Sequence, residues 1–121
     1  MSADWDVIYS YSRAQALSDG VLVDVSKMAK EAGIKYPTAV TSAVWSIIES
    51  FPEGHGQSVE GRLWDTLWMF RLAAQKQNGQ EVHFSVLFKM DEGTEEVKMW
   101  GWCGPGDTEE PVITVMLEGE D

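Results

Sequence analysis

Two residues, Asn78 and Gly79, divide this chain into halves of different hydrophobic period. Before them apolar residues recur mainly at helical spacing, and after them they alternate. Alternation lays one apolar face along a strand, so the C-terminal half is expected to become a sheet. The helical stripes of the N-terminal half are then its natural cover.

The strand "EVHFSVLFKM" places Val82, Phe84, Val86 and Phe88 on one face and His83, Ser85 and Lys89 on the other. A polar turn, "DEGTEE", leads to "VKMWGWC", where Trp100 and Trp102 oppose Val97, Met99 and Cys103. A second turn, "GPGDTEEP", leads to "VITVML". Short polar turns between consecutive strands predict a three-stranded antiparallel meander over about 81–90, 96–103 and 112–118. The glycines of "GPGD" lie between strands and are followed by acids, whereas a phosphate loop feeds a helix and carries a lysine. That stretch reads as a turn.

Upstream, a helix is expected from about Ser12 to Gly20, then a short extra strand in "VLVDV", 21–25. Ser26 is suited to cap a helix that Gly33 stops. Tyr36-Pro37 breaks the chain, and Thr38 then opens a helix whose apolar residues Val40, Ala43, Val44, Ile47, Ile48 and Phe51 share a face. The longest helix, about 58–77, starts at Ser58. Leu63, Leu67, Phe70 and Ala74 form one stripe, and Trp64, Trp68 and Leu72 form the adjoining one. The whole is an α+β fold in one domain, 1–121, with N-terminal helices packed on the sheet. Trp45, Trp64 and Trp68 are expected in the core.

Charge divides with period. Of the net charge of −11, residues 91–121 carry ten acids against Lys98 alone, while residues 1–90 hold ten acids and eight bases. Such a surface repels phosphate backbones and attracts cations, so direct binding of nucleic acid is not expected. No apolar run is long enough for a membrane span, the N-terminus shows no leader pattern, and one cysteine cannot form an internal disulfide. A cytoplasmic protein is the natural reading.

The segments "YSRAQALSDGVLVDVSKMAKEAG", "YPTAVTSAVW", "EGRLWDTLWMFRLA" and "CGPGDTEEPVITVML", taken in order, give the chain a resemblance. It resembles a family of uncharacterised small acidic proteins, a domain of unknown function, encoded on phages, plasmids and other mobile elements. The resemblance covers most of the chain beyond the first eight residues and outside about 77–96. It implies a setting, the cargo of mobile DNA, and assigns no catalytic residue.

Chemistry-bearing residues are sparse. His55 in "EGHGQ" reads as a solvated loop residue, and Cys103 as a small packed hydrophobe. Asp65 is expected to pair with Arg62 on an exposed helix face, and Asp24 to serve a cap or turn. No metal or cofactor motif is present, and no residue is assigned a catalytic role. The leading reading is a non-catalytic module whose acids Asp91, Glu92, Glu95, Glu96, Asp107, Glu109 and Glu110 dock on a basic protein surface. A nucleic-acid-binding protein is the suggested partner, and Trp100 and Trp102 form a candidate aromatic patch. The alternative is a small-ligand or catalytic pocket between long helix and sheet, with Trp64, Trp68, Trp100 or Trp102 stacking and His83 or His55 titrating. A homodimer through strand edges or the tryptophan face is a third reading.

Overall fold

The computed structural model describes residues 11–120, so the reading of the N-terminus and the last acid of the tail, Asp121, lie outside it. The Ser12 hydroxyl accepts from the Gln15 N–H and starts α1 (Arg13–Ser18). Gly20, at φ +78°, turns the chain into β1 (Leu22–Asp24). Asp24 then accepts from both the N–H and the hydroxyl of Ser26, an Asx turn that leads into α2 (Ser26–Glu31). Ser26 is therefore not the cap expected of it: its hydroxyl goes to Asp24 and accepts from the Thr38 N–H.

The next element departs from the sequence reading. Thr38–Thr41 is a strand, β2, and the helix α3 begins only at Ser42 and runs to Glu49. The cap is Thr41, whose hydroxyl accepts from the Val44 N–H at 3.3 Å. The physical reason is burial. Thr38, Ala39 and Val40 are almost wholly enclosed between two neighbouring strands, where β-branched residues pack well. Four residues are too few for a period to separate a buried strand from a first helical turn.

Ser58 caps α4 (Val59–Ala74) through the Gly61 N–H, as expected. Three long strands follow: β3 (Glu81–Met90), β4 (Gly93–Pro105) and β5 (Pro111–Leu117). Consecutive pairs among them are antiparallel, but the sheet does not stop there. It has five strands in the order β1-β2-β5-β4-β3, and β2 lies parallel to β5. The expected three-stranded antiparallel meander is thus part of a larger mixed sheet, enlarged by the strand taken for helix.

Helices α2, α3 and α4 cover one face. Val40, Val44, Ile48, Leu67, Phe70, Val86, Phe88, Met99 and Val115 form its centre. Gly101 lets α4 come close: a side-chain carbon there would overlap the Phe70 ring. On the opposite face lies α1, tied down by Arg13, which donates to Thr114 Oγ1 at 2.6 Å and to the Ile113 carbonyl at 2.8 Å. Burial lowers the pKa of that guanidinium, and Asp24 and Asp107 oppose the shift.

Candidate interaction surface

The acids meet two different fates. Asp91 and Glu92 form the β3–β4 turn, and Glu95 and Glu96 stand on the first residues of β4; every residue from 91 to 96 is exposed. Asp107, Glu109 and Glu110 belong to the β4–β5 turn. Because β4 connects the two turns, they lie at its opposite ends, roughly 40 Å apart at about 3.3 Å per residue. The seven acids therefore form two groups.

Several of them also have internal tasks. Asp91 Oδ1 lies 3.1 Å from His55 Nε2, and Glu96 accepts from the Ser85 hydroxyl at 2.9 Å. Asp107 is committed more deeply. Its two carboxylate oxygens accept from the backbone N–H groups of Arg13 and Ala14 at 2.7 and 3.0 Å, closing the first turn of α1. Those two bonds, Ala14 first, hold its pKa below the usual carboxylate value. Glu92, Glu95, Glu109 and Glu110 have no side-chain hydrogen bond among the described residues.

The tryptophans do not converge on one pocket. Trp100 and Trp102 lie on the sheet face opposite α2–α4, both half-buried. Trp100 stacks on His83, with centroids 6.1 Å apart, and donates from Nε1 to the Glu120 carbonyl. Trp102 looks onto the groove beside α1, with Arg13, Leu22 and Asp107. Trp45 is half-buried against the core. Trp64 and Trp68, expected in the core, point outward. One turn apart on α4, they stack with centroids 5.9 Å apart and are each 38% exposed, and the Arg71 guanidinium sits 5.3 Å above the Trp68 ring.

Arg62 explains part of that turnout. Expected on the surface beside Asp65, it is only 3% exposed and turns the other way. Nε donates to Gln57 Oε1, Nη1 to the carbonyls of Ile47 and Ser50, and Nη2 to the Lys89 carbonyl and to Met90 Sδ. The guanidinium also lies over the Phe88 ring at 4.6 Å. All five donors are occupied, so it staples α3, α4 and β3 together and holds nothing back for a ligand. Burial lowers its pKa, opposed by Glu95. Asp65 is left without that counter-ion, and partial burial raises its pKa.

A family of unknown function, DUF6573, matches the chain over residues 1–121. The chain belongs to DUF6573. No curated protein and no solved structure matches it. Among the described residues of this family member, no helix is long and apolar enough to cross a membrane.

A groove of about 370 Å³ does open between the C-terminal end of α4 and the sheet. Ile34, Tyr36, Phe70, Arg71, Val82 and Cys103 are among its lining residues, so its aromatic groups are a tyrosine and a phenylalanine and not the four tryptophans. Neither histidine lines it: His55 is held by Asp91 and His83 by the stack on Trp100.

Proposed function

We propose that this protein is a non-catalytic interaction module that docks the β3–β4 end of its sheet on a basic protein surface. The observation that carries the reading is the unbroken exposure of residues 91–96, which set four carboxylates on one hairpin end. Lys89 and Lys98, each two residues outside this segment, are the exposed bases nearest to it in the chain. Carboxylates so crowded raise each other's cost of isolation and lower it again when cations arrive. The acids of the other turn play a smaller part in this reading, because Asp107 already serves α1.

With the resemblance to mobile-element proteins taken as the setting, the basic surface belongs to a nucleic-acid-binding protein of the host or of a rival element. The row of carboxylates stands in for backbone phosphates there.

The test is affinity capture from host lysate at low salt, with elution by rising NaCl. The chain should retain a basic protein that leaves at moderate salt. Changing Asp91, Glu92, Glu95 and Glu96 together to Lys should abolish retention, while changing Glu109 and Glu110 should weaken it only slightly. Retention that survives the first set of changes defeats the proposal.

A further inference from the structure

The sheet has one long free edge, β3, and side chains already hold some of its outward hydrogen-bonding groups. In an antiparallel ladder alternate residues turn their N–H and C=O groups away from the neighbouring strand. On β3 these are the odd-numbered residues, as His83 shows: its N–H donates to Gln77 Oε1 at 2.9 Å and its carbonyl accepts from Gln77 Nε2 at 2.7 Å. The Lys89 carbonyl accepts from Gln57 and Arg62. The register with β4 is continuous between these points, so Ser85 and Leu87 also face outward. Among the described residues no donor or acceptor reaches their main-chain groups.

Between the held carbonyls of His83 and Lys89, the open pair Ser85 and Leu87 is centred on Val86. Beside it runs a groove of about 340 Å³, formed by Asp65, Trp68 and Met69 of α4 with Ser85, Leu87 and Glu96 of the hairpin. Leu87 is 65% exposed, the highest value for any large apolar side chain among the described residues.

We infer that a second copy of this chain covers the edge, with β3 antiparallel to β3 about a two-fold axis through Val86. In that register Ser85 of each copy faces Leu87 of the other, and their N–H and C=O groups satisfy one another in four hydrogen bonds. Pairing ends at His83 opposite Lys89, because side chains already hold the carbonyls of both residues and the N–H of His83. Lys89 then lies diagonal to Glu81 of the second copy, within reach of a long side chain. The two-fold axis brings Trp68 and Met69 toward their own counterparts on the helical side of the joined sheet. A shift to an axis through Ser85 would set His83 against Leu87 and break the Gln77 bonds, so the caps select the register. Asp91 of each copy falls opposite Glu81 of the other at the end of the seam, while Glu95 and Glu96 stand on β4, one strand in from it.

Sedimentation velocity over a concentration series should give the mass of two chains, dissociating on dilution. Leu87→Lys, a change at an exposed side chain, should leave the circular dichroism spectrum unchanged and raise the dissociation constant by at least about tenfold. In a Cys103→Ser background, copies carrying Ser85→Cys should form a disulfide with differently tagged copies carrying Leu87→Cys. Copies carrying His83→Cys should not. A single-chain mass at every concentration into the millimolar range overturns the inference. So does a Leu87→Lys protein that still pairs, or a preference for the His83 cross-link.

Discussion

Asp107 is a residue whose role depends on a partner more than ninety positions away in the chain. As a sequence letter it belongs to an acidic turn; in the fold its carboxylate anchors the start of α1. Its depressed pKa gives this a pH signature. A carboxyl held below its unfolded value adds stability that is complete above the unfolded pKa, near 3.9, and is lost as pH falls through the folded one. Asp107→Asn should therefore lower the urea midpoint at neutral pH and converge with wild type in strong acid. Asp65 is the opposite case, because burial raises its pKa and its charged form opposes folding. Asp65→Asn should gain stability at neutral pH, and the gain should fade as pH drops below the raised value. Urea titrations of both variants across the acid range check the two signs together.

At the scale of elements, α4 packs on β4 where Gly101 lies beneath the Phe70 ring, and a side-chain carbon at 101 would overlap that ring. Gly101→Ala should cost about 1–3 kcal/mol, the usual price of overpacking. Phe70→Leu should restore part of the loss in the double variant, which a thermodynamic cycle in urea would show. Much of the element order was legible beforehand. Ser12 and Ser58 announce their helices, and the alternation of Val82, Phe84, Val86 and Phe88 gives β3 its buried face. What escaped was β2, because a four-residue strand buried on both faces carries no period of its own. The surface was read less well. Trp64 and Trp68 look like core by hydropathy, yet the stripe that enters the core is that of Leu63, Leu67 and Phe70, joined by the polar Arg62 and Thr66. No local pattern distinguishes an arginine that will be enclosed by three carbonyls from one that will meet solvent. The separation of the acids, in contrast, follows from the hairpin pattern itself, since consecutive turns must fall at opposite ends of the strand they share.

For the molecule as a whole, the net charge of −11 is concentrated at the turns of β4, and like charges so placed repel more strongly at low ionic strength. The melting temperature should rise as added NaCl shortens the Debye length from ~30 to ~8 Å. Changing Asp91 and Glu92 to Asn and Gln, and Glu95 and Glu96 to Gln, should flatten that rise in a calorimetric scan.

The two borders of the sheet are unequal. The outer strand on one side, β1, has three residues and lies between two short helices in the chain; the other, β3, is held by glutamine amides on either side of a two-residue gap. A border that short cannot template a growing filament, and a gap that narrow is used up by its first occupant. Association through these two borders should therefore halt at small closed assemblies when such molecules are crowded.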